Sequence, residues 1–201
     1  MGLKKLVERA KNAIGKGPSP RDRLLEYLPA HAVCAEIGVW KGRFSRQIVE
    51  QSSPETLYLI DPWAFQPDFS ERMYGGRVAR NQDDMDAIYE GVKAMFADRD
   101  NVRFSRNYSN DAVAEFEDGY FDWVYIDGNH HYDYVLADLE IYFPKVQKNG
   151  FVAGDDYLWA PREAEGDLQV KRAVEGFLQR MQGKVELAVV YDDQFVLKKL
   201  V

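Results

Sequence analysis

Acidic residues stand at or near the ends of four strands that this sequence predicts. They are Glu36, Asp61, Asp127, Asp155 and Asp156. The carboxyl ends of parallel strands meet at one edge of an open sheet, so these carboxylates are expected to lie together there. Three of them, Asp127, Asp155 and Asp156, would repel one another unless a divalent ion such as Mg²⁺, Mn²⁺ or Ca²⁺ lay between them. The alternative is that Asp155 and Asp156 cap a turn while Asp127 binds nearby amides.

Two of the three histidines follow Asp127 closely. His130 and His131 are three and four residues after it, whereas His31 precedes the first strand. A histidine at this edge can accept a proton near neutral pH. Asp127 and His130 are therefore predicted catalytic residues, with His131 as the other candidate base. Helix capping or a surface position is the alternative for both histidines.

A loop with two glycines follows the first predicted strand. Gly38 and Gly42 would allow a tight turn and a close approach of the backbone to a ligand. They do not form the dinucleotide fingerprint, which needs a third glycine and closer spacing. Asp61 is suited to accept hydrogen bonds from both hydroxyls of a ribose. Simpler alternatives are strand–helix packing for the glycines and a turn before Pro62 for Asp61.

Short apolar runs alternate with helical patterns from Val33 onward. Strands are predicted over 33–38, 57–61, 101–104, 121–127, 150–154, 185–191 and 194–197, and helices over 21–28, 44–51, 83–97, 109–116, 132–143 and 167–181. This alternation predicts a parallel sheet covered on both faces, with an antiparallel edge from the last hairpin. The aromatic-rich stretch between Asp61 and Asp83 has no clear period and is interpreted as a lid or pocket wall.

Composition narrows the class of protein. The chain has 201 residues, a net charge of −7 and one cysteine, Cys34. These values argue against a nucleic-acid groove, an internal disulfide framework and a thiolate metal site. No apolar run approaches the roughly 18 residues of a membrane span, and the N-terminus lacks the apolar core of a signal peptide, so a cytoplasmic protein is predicted.

The N-terminal region is basic, unlike the rest of the chain. Residues 1–23 contain seven Lys or Arg and two Asp or Glu. Apolar residues from Leu3 to Ile14 recur at helical spacing, which predicts an amphipathic helix. Residues 1–30 are therefore predicted to form a helical arm before a domain over 31–201. The arm would pack across the domain or against a second subunit of a homo-oligomer, most simply a dimer. The alternative is a contact with a membrane surface or another partner.

Four motifs resemble those of class I S-adenosylmethionine-dependent methyltransferases. They are EIGVWKG at 36–42, LIDPW at 59–63, YIDGNH at 125–130 and GDDY at 154–157. The resemblance is strongest to the metal-dependent O-methyltransferases, both the catechol type and the macrocin type, which acts on sugars of natural products. It covers the chain from about Val33 to the end. It implies a Rossmann-like sheet of seven strands, mostly parallel, with an antiparallel C-terminal hairpin and helices on both faces.

The resemblance also implies roles for the matched residues. S-adenosylmethionine would be bound by Glu36, Gly38, Val39, Trp40, Gly42, Ser45, Asp61, Trp63, Ser109, Asn110 and Asp127. Among these, Asp61 would hold the ribose hydroxyls, Ser109 and Asn110 would contact the adenine, and Trp63 would lie near its face. Mg²⁺ or Mn²⁺ would be bound by Asp127, Asp155 and Asp156. The methyl acceptor would be a hydroxyl of a small molecule or sugar, with His130 as its base. Asn129 replaces an acidic candidate base of some sugar enzymes, and the N-terminal arm has no matched counterpart.

Two other classes of function compete with this one. A nicotinamide-dependent oxidoreductase would share the fold and the use of Asp61. However, this sequence lacks the glycine fingerprint of that class, and such an enzyme would have no role for Asp155 and Asp156. A non-catalytic cofactor-binding module, or a membrane-peripheral protein using the basic arm, would need neither a metal nor a base.

Overall fold

The computed structural model describes residues 18–201, so the helix predicted over Leu3–Ile14 lies outside the described residues. The helices are α1 (Pro20–Tyr27), α2 (Arg43–Ser52), α3 (Gln82–Met95), α4 (Ser109–Ala112), α5 (Tyr132–Tyr142) and α6 (Gln169–Arg180). The strands are β1 (Val33–Ile37), β2 (Thr56–Ile60), β3 (Val102–Ser105), β4 (Phe121–Ile126), β5 (Val146–Gly154), β6 (Val185–Tyr191) and β7 (Gln194–Lys199). None of the helices described is long and apolar enough to cross a membrane.

All seven strands form one sheet in the order β3-β2-β1-β4-β5-β7-β6. β1 to β5 pair in parallel, and β7 runs antiparallel to both of its neighbours. This confirms the predicted Rossmann-like sheet with its antiparallel C-terminal hairpin. β5 begins earlier than expected, because its first residue pairs with Phe121 before an irregularity shifts the register. The strand order reverses between β1 and β4, the position at which such sheets bind ligands.

Apolar side chains cover both faces of the sheet. On one face, α5 and α6 bury residues such as Leu139 and Phe177, and on the other, α2 and α3 bury residues such as Ile48 and Met85. This double cover explains why the central strands are almost continuously apolar. The sheet is therefore rigid, and the loops at its edge can hold side chains in fixed positions.

Helix α1 belongs to the same folded body. Ser19 and Asp22 form a capping box that begins the helix, with Pro20 in its first turn. Leu24, Leu25 and Leu28 are buried in the core on the α2–α3 face. The helix is thereby anchored with its first turn beside the carboxyl edge of the sheet.

The long connection between β2 and α3 contains two short helical turns, Pro67–Phe69 and Met73–Arg77. The loop closes on itself, because the amide of Gln66 donates a hydrogen bond of 3.0 Å to the carbonyl of Tyr74. A Cβ at Gly75 would lie 1.9 Å from the carbonyl oxygen of Phe69, so this crossing requires glycine. Several residues of the loop line the main cavity, which confirms the predicted pocket wall.

Candidate active site

A cavity of about 1230 Å³ opens at the carboxyl ends of β1, β2, β4 and β5. Sites for a single small ligand commonly have volumes of about 300–1,000 Å³, so this cavity has room for a cofactor and a second molecule. Its floor depends on Gly38, which has φ 87°. A Cβ there would lie 2.2 Å from the carbonyl oxygen of Asp127. Glycine therefore lets the loop after β1 meet the end of β4, where the strand order reverses.

Most of the predicted site residues line this cavity. They are Glu36, Gly38, Val39, Trp40, Asp61, Ser109, Asp127, His130, Asp155 and Asp156. His131 and Trp159 line it as well. The fold therefore brings residues from the ends of four strands to one place, as the sequence predicted.

Four predicted cofactor contacts lie away from the cavity surface. Gly42 packs against α3, where a Cβ would lie 3.1 Å from Val92. Ser45 is buried, and Asn110 is exposed to solvent. Trp63 is also fully buried, with its indole Nε1 donating to the carbonyl of Trp40.

Asp61 fixes the loop between β1 and α2. One carboxylate oxygen accepts hydrogen bonds of 3.0 Å from the amides of Val39 and Trp40, and the other accepts one of 2.7 Å from Trp63. Burial raises the pKa of Asp61, whereas these three amides lower it. A carboxylate has about four acceptor positions, so one remains for a ribose hydroxyl.

Glu36 lies beneath the cavity with 1% of its surface exposed. Burial raises its pKa to about 8, although the hydroxyl of Ser45 donates a hydrogen bond to its carboxyl group. Burial therefore favours the protonated form of Glu36, which can donate a hydrogen bond into the cavity. Ser45 does not line the cavity, and its hydroxyl holds this carboxyl group in place.

Arg21, at the start of α1, enters the acidic cluster. Its guanidinium donates to Asp127 Oδ2 at 2.6 Å and through Nε to Asp155 Oδ2 at 3.1 Å, and it lies over the ring of Phe44 at 4.7 Å. Burial lowers the pKa of Arg21, but Tyr125, Asp127 and Asp155 together raise it well above its ordinary value. The predicted acidic edge therefore contains a fixed positive charge.

Asp155 is fully engaged by protein donors. Its Oδ2 accepts two bonds from Arg21, and its Oδ1 accepts from the amide of Asp156 at 2.9 Å and from the side chain of Gln194. These four contacts match the number that a carboxylate can accept. In this structure the set of candidate metal ligands consequently contains His130 in place of the predicted Asp155.

Asp127, His130 and Asp156 present ligand atoms that all lie within 4.8 Å of one another. His130 Nδ1 is 3.0 Å from Asp156 Oδ2, and Nε2 is 3.4 Å from Asp127 Oδ1. Both ring nitrogens are buried, yet neither makes a hydrogen bond with the residues that the structure describes. Buried polar atoms normally have a partner, so this donor set fits a bound ion. Arg21 binds the other oxygen of Asp127, which leaves Oδ1 free for the ion.

Asp138 of α5 is a cavity residue that sequence reasoning missed. Its Oδ1 accepts a hydrogen bond of 2.6 Å from the hydroxyl of Ser109, and both residues line the cavity. An acidic residue on the apolar side of α5, next to Leu139, was the signal in the sequence. A weaker indication that Arg21 belongs to the site was also present in the sequence, namely a basic residue shortly before the apolar Leu24 and Leu25.

Asp138 should make stability depend on pH. Burial raises its pKa to about 6 from 3.8, so the folded protein binds this proton more tightly than the unfolded chain. The free energy of unfolding should therefore fall as the pH rises from about 4 to about 6, by about 3 kcal/mol from this group. Urea unfolding across this range should show that Asp138→Asn removes this fall. The exposed Asp133 on the same helix supplies the control Asp133→Asn, and equal pH profiles for wild type and Asp138→Asn would contradict the prediction.

Comparisons with known proteins agree with this fold. NovP, an O-methyltransferase, has a structure that superposes with a TM-score of 0.55 at 20% identity, covering 90% of this chain and 76% of that chain. A candidate caffeoyl-CoA O-methyltransferase from Staphylococcus aureus has a TM-score of 0.57 at 16% identity, covering 99% and 92%. Uncharacterized protein R132 of Acanthamoeba polyphaga mimivirus is 32% identical over 69 residues. That match covers 31% of this chain and 31% of R132, so it spans less than a third of either protein.

The sheet order and the large cavity at its reversal point place this chain among the α/β folds that bind ligands at that position. A family model described as a methyltransferase domain matches residues 35–157, which is more than half of the chain. The chain therefore belongs to this methyltransferase family, which is of the class I S-adenosylmethionine-dependent type. The family is not that of the nicotinamide-dependent oxidoreductases, which were the main alternative.

Proposed function

We propose that this protein transfers a methyl group to a hydroxyl of a small molecule or sugar, assisted by a divalent ion. The observation that carries the proposal is the group formed by Asp127, His130 and Asp156 inside the cofactor cavity. The two carboxylates suit Mg²⁺ or Mn²⁺, and the imidazole nitrogen favours Mn²⁺, the softer of the two. The O-methyltransferases among the structural neighbours support a hydroxyl as the acceptor. That the acceptor is a small molecule or sugar, and that the protein forms a homo-oligomer, are proposals that rest on the sequence.

The proposal assigns the cofactor to the side of the cavity formed by β1 and β2. Glu36, Gly38 and Asp61 lie there, next to Asp127. S-adenosylmethionine supplies the methyl group on a sulfonium, which is already a good leaving group. Enzyme residues then have mainly to hold the acceptor oxygen in line with that methyl group, and such positioning can lower the barrier by roughly 7–11 kcal/mol.

The acceptor must also lose its proton. A divalent ion at the three-residue group supplies positive charge that favours the deprotonated hydroxyl. A neutral imidazole has only one ring nitrogen with a free lone pair, because the other carries a proton, so His130 cannot both hold that ion and accept the proton. We therefore assign His130 to the ion, and His131 is the second imidazole that lines the cavity and can take the proton.

Trp159 completes the acceptor side of the cavity. Its ring packs edge-on against His130 and His131, with centroids 5.7 and 5.2 Å apart. The loop containing Arg72 covers Trp159 from above, with the guanidinium 4.6 Å from the ring centroid. These apolar and aromatic groups can exclude water from the reacting oxygen, which strengthens the electrostatic interactions there.

Calorimetry and a methyl-transfer assay test this function. S-adenosylmethionine should bind to the purified protein, and NAD should not. Methyl transfer to a panel of catechols and sugars should fall at least tenfold in excess chelator and recover when Mg²⁺ or Mn²⁺ is added. Binding of NAD without S-adenosylmethionine would refute the proposal. Full activity in excess chelator would show that methyl transfer does not need the metal, without contradicting methyl transfer itself.

A further inference from the structure

Arg72 carries a buried guanidinium nitrogen that has no hydrogen-bond partner among the described residues. Its Nη2 is shielded from solvent and forms no hydrogen bond with any residue in the described part of the chain. Among the described side chains, the exposed Glu71 is the acidic group beside it, and its Oε1 lies 3.8 Å from Nε, beyond hydrogen-bonding distance. A buried guanidinium nitrogen normally has an acceptor, because leaving it unpaired is costly. An anion from outside the chain would supply this acceptor.

The position of Arg72 places that anion on the acceptor side of the cavity. Its guanidinium stacks over Trp159 at 4.6 Å, and the ring of Trp159 meets that of His130 at 5.7 Å. Arg72 is thus one aromatic ring away from the candidate ion site. The predicted cofactor residues Glu36 and Asp61 lie at the ends of β1 and β2 instead.

The loop that carries Arg72 is built to hold it in place. The amide of Arg72 donates to the carbonyl of Phe69, and its own carbonyl accepts from the amides of Gly75 and Arg77. At Gly75 the loop backbone packs directly against that of Phe69, where a Cβ would lie 1.9 Å from the carbonyl oxygen. A guanidinium held in this way loses little further conformational freedom when an anion binds. Its planar set of N–H donors also matches the geometry of an oxyanion.

We propose that Arg72 binds an anionic group of the methyl acceptor, so that the acceptor is a hydroxylated carboxylic acid or a hydroxylated phosphate ester. This inference rests on the proposed function, because it places the methylated hydroxyl at Asp127, His130 and Asp156. The acceptor then spans the cavity, with its hydroxyl at the ion site and its anion at Arg72. Trp159, between the two, provides an apolar surface for the body of the molecule.

Binding to matched probes tests this inference. Calorimetry on the protein saturated with S-adenosylhomocysteine and Mn²⁺ would compare 3,4-dihydroxybenzoate with catechol for the carboxylate, and glucose 6-phosphate with glucose for the phosphate. The anionic member of at least one pair should bind about 10- to 100-fold more tightly, the effect of one charged hydrogen-bonding partner. Arg72→Gln should abolish the preference, and Arg72→Lys should retain part of it because the charge remains without the fork.

The control is Arg80→Gln, an exposed arginine just after the same loop that does not line the cavity, and it should keep the full preference. Equal affinities within both pairs, no binding of either anionic probe, or a preference that survives Arg72→Gln would overturn the inference. A loss of affinity for S-adenosylmethionine but not for its decarboxylated analogue in Arg72→Gln would assign Arg72 to the cofactor carboxylate and would also overturn it. Binding of S-adenosylhomocysteine is measured first, so a failure of the proposed function is seen separately.

Discussion

Asp156→Asn should lower the rate of methyl transfer by about 10³-fold while the protein stays folded. The substitution removes one negatively charged ligand from the group with Asp127 and His130. A metal ion contributes several kcal/mol to a transition state that develops negative charge on oxygen, and each 1.36 kcal/mol is tenfold in rate. Asp156 has φ 55°, a conformation that asparagine also adopts readily, so the backbone should not change. The measurements are kcat/KM at saturating Mn²⁺ and the affinity for Mn²⁺ by calorimetry.

Asp192→Asn is the matched control for this variant. Asp192 is also an aspartate at positive φ, 52°, and it lies exposed at the cavity mouth outside the three-residue group. It should keep Mn²⁺ affinity and activity within about twofold. His130→Ala should lose Mn²⁺ affinity like Asp156→Asn, whereas His131→Ala should lower kcat alone. Unchanged Mn²⁺ affinity in both Asp156→Asn and His130→Ala would refute the assigned ligand set.

Arg21→Met should lower the free energy of unfolding by about 2 kcal/mol. Removing one member of a buried ion pair costs about 3–5 kcal/mol, and the Arg21 side chain is 29% exposed, which reduces this cost. Methionine can keep the apolar packing on Phe44, so the variant isolates the loss of charge. For a chain of this size the melting temperature should fall by about 4–8 °C. Differential scanning calorimetry without added divalent ions measures both values.

Divalent ions should stabilise Arg21→Met more than the wild type. Without the guanidinium, Asp127 Oδ2 and Asp155 Oδ2 lose their counter-charge and become additional ligands, so Mn²⁺ binds the folded state more tightly and raises its stability by mass action. Arg23→Met, on the exposed side of the same helix, is the control and should leave stability nearly unchanged. If Mn²⁺ stabilises wild type and Arg21→Met equally, the Oδ2 atoms of Asp127 and Asp155 that hold Arg21 do not become ion ligands when it is removed.

Asp156→Asn and Arg21→Met test two parts of the same cluster of charged side chains. The sheet edge carries carboxylates at Asp127, Asp155 and Asp156, and Arg21 compensates those on the side of α1. Burial raises the pKa of Asp156, while His130 lowers it. The side facing His130 is the one left for an ion. A basic residue from the N-terminal region thus determines which carboxylates can act as ligands.

Much of the fold could be predicted because its signals are local. Alternating apolar runs and helical periods depend on neighbouring residues, and they placed the strands and helices within a few residues of their ends. The acidic residues follow the strands directly, so the topology alone brings Asp61, Asp127 and Asp156 to one edge. These features needed no knowledge of how side chains pack.

Only the tertiary structure decided which of these groups are free to act. Arg21 is 106 residues from Asp127 and 134 from Asp155, and no local pattern links them. Whether Asp155 or His130 joins the candidate ligand set depends on which carboxylate oxygens the protein already occupies. A carboxylate in the sequence is a possible ligand, and the donors that fold against it determine whether its oxygens remain to bind an ion.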